Sequence, residues 1–472
     1  MTKHKDNPGD VSVERSPENV ETIGIQPIPE ERRNMSALTL FVIWGLASAS
    51  ATTPVIGLLL YNVGLVNFCI AVVIAGLIGI IPAGLFSEQG REVPLISLVT
   101  ARVTFGPGAS FILAILYTIA GAGWFGLNTD VAGQILTTLY PDVGSLAHGA
   151  FWYWALGIFQ TLLVFLGMKW LERFYNYTAI VFIVCYAILC FYLVQDYAVK
   201  VPFWSSAAVH WGSVVETILS FSLLAWAYEF STVSRFCRPA TRHESRASKA
   251  AYFSAATVGI LLPVLVMGVL GLVTKATTGK WNIALLAKDL PLIGVVAAIG
   301  VILAIAHTNA MNLYPAVTKL LAASETVREP RFYDQPIASA GLGLLATILA
   351  VLGILQAVQS FLSLLGVFLF PFTFLMMFDW VLIQKKATPV SAFFEKKKRL
   401  IDLFRPSACI AFVVGAFLGG LSYFGVLPAM ISNTVPWPVV ASLISCGVYW
   451  VLLQILGDYP VGRSTPTETR SA

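Results

Sequence analysis

The chain has 472 residues, of which 57% are hydrophobic and 12% charged, with a mean hydropathy of +0.78. A soluble fold this poor in charge could not cover its own surface, since ordinary soluble proteins carry about 25% charged residues. Secreted domains, cytosolic enzymes and disordered scaffolds are therefore excluded, and a net charge of +5 spread over short loops gives no reason to expect nucleic acid as a partner.

Residues 1–35 are polar, rich in Glu, Pro and Asn, and contain no apolar stretch of the kind a signal peptide requires. They read as a disordered cytoplasmic tail, with the first membrane helix as its own insertion signal. A hydrocarbon core about 30 Å thick is crossed by about 20 apolar helical residues. Ser36 to Ser87 has no Asp, Glu, Lys or Arg and supplies two crossings, turning at Asn62, Gly64 and Asn67. Single crossings are predicted at about 108–138, 149–168, 175–195, 212–233, 250–274 and 291–318. Leu342 to Phe378 supplies two more, bent near Leu355–Gln359, and Ser407 to Leu456 the last two, turning near Asn433–Pro438. The expectation is an all-α polytopic membrane protein with 12 transmembrane helices. A basic loop spans 384–405, the last two helices span 406–457, and a tail covers 458–472.

Charge fixes the orientation. With the N-terminus in the cytoplasm, nineteen Lys and Arg residues fall on inside loops, Lys319 and the run Lys396–Arg399 among them. Only Lys200, Lys275, Lys280 and Lys288 fall outside. Positive residues favour the cytoplasmic side, so both termini are expected there, in a cell (plasma or inner) membrane with its lipids as surroundings. The six cysteines lie in or beside apolar runs without metal-type spacing and read as small hydrophobes. No metal site is expected beyond a sodium ion.

Polar residues inside apolar spans mark the functional candidates, because intramembrane polar groups need a reason. In the first span, Gly45-Leu-Ala-Ser48-Ala49-Ser-Ala-Thr-Thr-Pro54 is small, hydroxyl-rich and ends in proline. It either unwinds to turn carbonyls toward a cation or packs closely against another helix. In the third, Trp124 and Asn128 share a helical face and offer a flat surface with an amide beside it, suited to a planar heterocycle or to simple packing. Asp130 lies on another face, as a structural partner or a proton carrier. In the sixth, Ser222, Trp226 and Glu229 are one turn apart, and Glu229 either pairs with Arg235 or carries a proton. In the eighth, Ala304, His307 and Thr308 share a face, followed by Asn309 and Asn312. This cluster contacts a ligand or ion, or bonds between helices. The chain has no Walker loop, HExxH or strand-borne G-x-S-x-G, which excludes ATP hydrolysis within it. No organic cofactor is expected.

The order of several motifs resembles the nucleobase–cation symporter family, which includes purine–cytosine and hydantoin permeases. They are Gly24-Ile-Gln-Pro27-Ile-Pro29-Glu-Glu-Arg32, Arg102-Val-Thr-Phe105-Gly106-Pro-Gly108, Gly123-Trp124-Phe125-Gly126, Ser234-Arg235-Phe236, Thr308-Asn309, and Pro371 followed by Asp379. The resemblance implies a LeuT-type fold of 5+5 inverted repeats, residues 36–195 and 212–383, with substrate between helices 1, 3, 6 and 8. It implies a substrate site of Trp124, Asn128, Ser222, Trp226, Asn309, Asn312 and Ala49. It implies a cation site of Gly45, Ser48, Ala304, His307 and Thr308. His307 stands where sodium-binding members carry Ser or Thr, and imidazole can hold a proton, so the coupling ion is a proton or sodium. The implied activity is not enzymatic. It is secondary active import of a nucleobase such as cytosine or a related small heterocycle, with allantoin, hydantoins, thiamine or pyridoxine as the alternative cargo. A membrane-embedded sensor or enzyme fits less well, and oligomeric state is not legible.

Overall fold

The structure, a computed structural model, describes residues 24–197, 201–205, 207–241, 243–328, 331, 333–395 and 403–460. Among the described residues it is helical throughout, apart from an isolated bridge between Met35 and Cys237.

Helix α1 (Ala37–Ser48) starts at Ser36, whose hydroxyl accepts the Thr39 amide at 3.0 Å and satisfies a donor that a helix start leaves over. It stops after twelve residues, too few for a crossing, and the chain restarts as α2 (Pro54–Leu59). Pro54 occupies the first position, where a missing N–H is harmless. Gly64, at φ 82°, turns the chain into α3 (Leu65–Glu92). Next come α4 (Ser97–Phe105), α5 (Pro107–Leu139), α6 (Phe151–Phe165) and α7 (Met168–Tyr197).

The second half also opens on an interrupted segment. It consists of α8 (Trp211–Phe221), α9 (Leu223–Trp226), a 3₁₀ turn at Ala227–Glu229, and α10 (Phe230–Ser234). Ser222, at φ −125° and ψ −93°, is the break. Long helices α11 (Arg246–Thr278), α12 (Pro291–Val327), α13 (Asp334–Val351), α14 (Val358–Phe378), α15 (Pro406–Tyr423) and α16 (Trp437–Leu456) complete the chain. Nine of the described helices are long and apolar enough to cross a membrane. The other expected crossings are the two interrupted segments and α6, whose fifteen residues fall short of that length.

Packing sorts the helices into two bodies. One holds α1, α2, α3, α8–α10 and α11; the other holds α5, α6, α12 and α13. Helix α7 lies against both α1 and α12, and α15 and α16 pair beside α14. The site lies between the two bodies.

Three expectations are corrected. The disordered tail expected over 1–35 does not extend through residues 24–35. Ile25, Ile28 and Met35 are buried, and the Met35 amide donates to the Phe236 carbonyl at 3.1 Å. Three apolar side chains in a polar stretch were enough to anchor it. Residues 1–23 and the run Lys396–Arg399 lie outside the described residues. Arg102, one of the nineteen basic residues counted on inside loops, lies in α4, a helix buried along its length, where it pairs with Glu325 at 2.7 Å. Lys319 is likewise no loop residue; it is buried within α12.

Helices α2 and α11 touch backbone to backbone. A Cβ on Gly271 would run into the Pro54 carbonyl oxygen, and one on Gly57 into that of Gly268. Overpacking a tight contact costs ~1–3 kcal/mol or more. Gly271→Ala is therefore expected to lower the melting temperature of the purified protein by several degrees. Gly447→Ala, with nothing near its Cβ, should leave it unchanged. Equal melting temperatures would show that this contact does not hold the broken helix in place.

Candidate functional site

Two adjoining cavities lie between the bodies and share Trp124 and Trp226 as lining. The larger is walled by the α1–α2 interruption (Ser48, Ser50, Thr52, Thr53), by Asn128, Phe221 and Val264, and by Thr308. The smaller is walled by Gly121, Ala225, Tyr228, Glu229 and Asn312. Two indoles thus stand where the cavities meet. Trp124 is held edge-on by Phe221 and Phe361, with centroids at 5.7 and 5.5 Å. Trp226 is held edge-on by Trp44 at 5.5 Å.

The interruption exists because its own side chains replace lost helical hydrogen bonds. Thr53 Oγ1 donates to the Ser48 carbonyl, and the Ala49 amide closes α1 on the Gly45 carbonyl at 3.0 Å. Ser50 Oγ and Thr52 Oγ1 instead reach across to α5 and donate to Asn128 Oδ1, at 3.2 and 2.5 Å. Asn128 passes the chain on, its Nδ2 donating to Asn309 Oδ1 at 3.2 Å. Asn312 Nδ2 donates to the same oxygen at 3.0 Å. The Asn309 amide nitrogen faces the Phe125 carbonyl, the Thr129 hydroxyl and Gln160 Oε1. A continuous polar chain therefore joins the broken helix to α5, α6 and α12.

The residues expected to hold substrate divide on this geometry. Trp124, Asn128, Trp226 and Asn312 line the cavities. Asn309 is fully buried behind them, its amide spent on protein partners. Ser222 does not line either cavity; its hydroxyl donates back to the Ile218 carbonyl. The one-turn spacing that grouped it with Trp226 fails because Ser222 is itself the break and Ala227–Glu229 tightens into a 3₁₀ turn. Ala49 is buried at the end of α1 and also stands outside the lining.

The expected cation set also divides. Thr308 Oγ1 donates to the Ala47 carbonyl at 2.7 Å, with the Ala304 carbonyl 2.9 Å away, and so ties α12 to α1. Ser48 lines the larger cavity, although its hydroxyl donates to the Ile260 carbonyl of α11 at 3.0 Å. His307 turns away. Successive helical residues differ by about 100°, so with Thr308 against α1 the imidazole meets α7. There it packs among Phe174, Tyr175 and Phe182, and Nε2 shares a 2.7 Å hydrogen bond with the Thr178 hydroxyl. An imidazole in that aromatic setting is not aimed at the Gly45 and Ser48 carbonyls.

Glu229 does not pair with Arg235. Its partner is Lys319, in a buried ion pair, while Arg235 donates to the Gly24 carbonyl and the Tyr314 hydroxyl, both at 2.9 Å. Asp130 is structural in this arrangement, accepting the Leu355 amide at 2.9 Å and Gln134 Nε2 at 2.8 Å. Sequence reasoning missed Lys319 because it counted the residue as a loop charge. It also did not single out Ser50 and Thr52, although the hydroxyl-rich run contained them.

The chain matches, over residues 27–452, the family described as permease for cytosine/purines, uracil, thiamine, allantoin. A putative purine-cytosine permease of Bacillus subtilis is 24% identical over 395 residues, 80% of this chain and 82% of that protein. Purine-cytosine permease fcyB of Emericella nidulans is 25% identical over 336 residues, 66% of this chain and 64% of its own length. The match to purine-cytosine permease FCY22 of Saccharomyces cerevisiae spans only 24% of that protein, at 25% identity over 27% of this chain. Among solved structures, Mhp1, a nucleobase-cation-symport-1 family transporter in a closed conformation with bromovinylhydantoin bound, superposes with a TM-score of 0.74. That superposition has 18% identity and covers 96% of this chain and 98% of that one. A Na⁺-coupled sialic acid symporter gives 0.62 at 11% identity, over 95% and 94% of the two chains. At these identities the structural likenesses establish the LeuT-type fold and no more. The family match over residues 27–452 goes further: this chain belongs to the permease family for cytosine and purines, uracil, thiamine and allantoin.

Proposed function

We propose that the protein is a secondary active transporter that imports a nucleobase, purine or pyrimidine, or a closely related planar heterocycle, coupled to a cation by alternating access. The observation that carries this reading is the pair of cavities meeting at Trp124 and Trp226, with the amides of Asn128 and Asn312 at their edges. An aromatic ring held edge-on by its neighbours presents a fixed face for stacking. Carboxamides donate and accept, as the edge of a nucleobase requires.

The supporting architecture is the interruption that opens each half. Residues 36–195 and 212–383, taken as inverted repeats, each begin on a broken helix, at Ala49–Thr53 and at Ser222. Broken helices beside a central site are how transporters of this kind bring irregular backbone to a ligand. Rocking of the body containing α1, α2 and α8–α11 against the body containing α5 and α12 would open the cavities to either face in turn. Both termini are placed in the cytoplasm and the protein in the cell membrane, on the distribution of basic residues. One charge moving down ~150 mV supplies ~3.5 kcal/mol, enough for a few-hundred-fold accumulation, so one coupling cation suffices.

A second cargo class, allantoin and hydantoins, is supported by the family description, which names allantoin, and by the bromovinylhydantoin bound in the Mhp1 structure. A thermal-shift screen of the purified protein against cytosine, hypoxanthine, uracil, allantoin, hydantoin and thiamine separates the classes. Stabilisation by cytosine or hypoxanthine is expected, and no response to any of the six would overturn the transport reading.

Trp124→Ala is expected to weaken binding of the stabilising heterocycle by ~1–3 kcal/mol, the usual worth of a base stacked on an aromatic ring. Isothermal titration on the folded variant measures it, and an unchanged affinity would remove Trp124 from the site. The two asparagines of α12 should separate in a different way. Asn309→Ala leaves several buried partners unpaired, each costing ~1–3 kcal/mol, and should lower the melting temperature markedly. Asn312→Ala should reduce binding with a much smaller loss of stability. The reverse ranking would mean that the two roles had been exchanged.

A further inference from the structure

Glu229 and Lys319 form an ion pair in the interior, with side chains only 5% and 2% exposed. Glu229 belongs to the 3₁₀ turn after α9 and Lys319 to α12, so the pair crosses between the two bodies. The lysine ammonium also faces the Tyr117 carbonyl and the Tyr228 hydroxyl, each at 3.2 Å. One carboxylate oxygen takes the ammonium. The other, Oε2, is buried with no hydrogen-bond partner among the described residues, and Glu229 lines the smaller cavity with Trp124, Trp226 and Asn312. The titratable groups facing Glu229 are Lys319 from α12, Tyr228 from its own turn, and Tyr117 of α5, whose ring meets that of Tyr228 at 5.0 Å.

A buried ion pair is a poor way to gain stability, because replacing both partners by apolar residues is often neutral or better. An ionisable group inside a membrane bundle is for that reason a functional site by default. We propose that Glu229 Oε2 is the binding site of the coupling cation, taken up as a proton, and that the Glu229–Lys319 pair is the tie it releases. This deepens the transport reading and rests on it. In the set expected on α1 and α12, the Gly45 carbonyl closes α1 and the Thr308 hydroxyl donates to the Ala47 carbonyl, so these groups already have protein partners, unlike Glu229 Oε2.

The proton comes from water at one face and returns to water at the other; Glu229 alternates between carboxylate and carboxyl, and only an O–H bond forms and breaks. Protonation removes the charge attraction between the 3₁₀ turn and α12, leaving the weaker hydrogen bond from Lys319 to the Tyr228 hydroxyl of that turn and the one to the Tyr117 carbonyl. A flat ring seated between the indoles lies against the wall that Glu229 shares with Trp124, Trp226 and Asn312. Whatever the proton on Glu229 adds to the ring's binding, the ring adds equally to the proton's, as linkage requires.

Infrared titration of the full-length protein in nanodiscs reads the site without a substrate. A protonated-carboxyl band that appears as pH falls, and is absent in E229Q and in the charge-free pair E229Q/K319M, is expected. In proteoliposomes loaded with radiolabelled cytosine, hypoxanthine or allantoin, an imposed pH gradient should drive uptake in the wild type. The ratio of gradient-driven uptake to counterflow should fall about tenfold or more in E229Q/K319M. A carboxyl band that persists in E229Q would overturn the assignment, as would accumulation driven by sodium alone and kept by the double variant. If none of the three compounds is exchanged, that result counts against the transport reading, and the infrared titration still decides the proton site.

Discussion

A backbone amide or carbonyl left unpaired in hydrocarbon costs several kcal/mol, and the site in this protein is built around two places where helical pairing is given up. At Ala49–Thr53 the loss is made good locally, by hydroxyls that bond the Ser48 carbonyl or reach Asn128. At Ser222 the residue's own hydroxyl returns to the Ile218 carbonyl. The serines and threonines there serve the backbone before any ligand. That is why Ser222, whose sequence position suggests a pocket residue, turns inward on its helix.

The same constraint explains why the polar chain from Ser50 through Asn128, Asn309 and Asn312 is continuous. Asn128, Asn309 and Asn312 each find another amide or a hydroxyl. Such a network fixes the register of α5 against α12, and so sets where Trp124 stands. Asn309 is its hub and stands behind the cavities, whereas Ser50, Thr52, Asn128 and Asn312 line them. Residues alike in type thus divide between holding the wall and forming its surface.

Much of the fold was legible because apolar length and charge placement are read directly from residues. The predicted start of the third crossing at about 108 and the observed start of α5 at Pro107 differ by one residue, since Gly106 and Pro107 punctuate the chain. Trp124 and Asn128 were legible as a pair because α5 is unbroken there and four-residue spacing holds. Ser222 and Glu229 were not, because spacing loses meaning across a break. His307 was misjudged for a related reason. A residue adjacent to the one that meets α1 must point about 100° away, and no single sequence says which of the two neighbours wins. Lys319 was hidden by the habit of assigning lysines to loops; its partner, 90 residues earlier in the chain, emerges only when α12 and the 3₁₀ turn are brought together.

The two departures, at His307 and Lys319, bear on each other. At the contact between α1 and α12, Thr308 makes a neutral hydroxyl bond to the Ala47 carbonyl. About three turns further along nearly the same face, α12 carries the Lys319 ammonium against Glu229, which lines the smaller cavity with the indoles. Lys319 and Glu229 together are neutral, so a proton or a metal cation added there leaves one net positive charge in the interior. Protonation of Glu229 would leave that charge on the Lys319 ammonium, with the Tyr117 carbonyl and the Tyr228 hydroxyl as its partners. A buried charge stripped of its counter-ion is costly, so a change at Glu229 acts on how the 3₁₀ turn meets α12 rather than staying local.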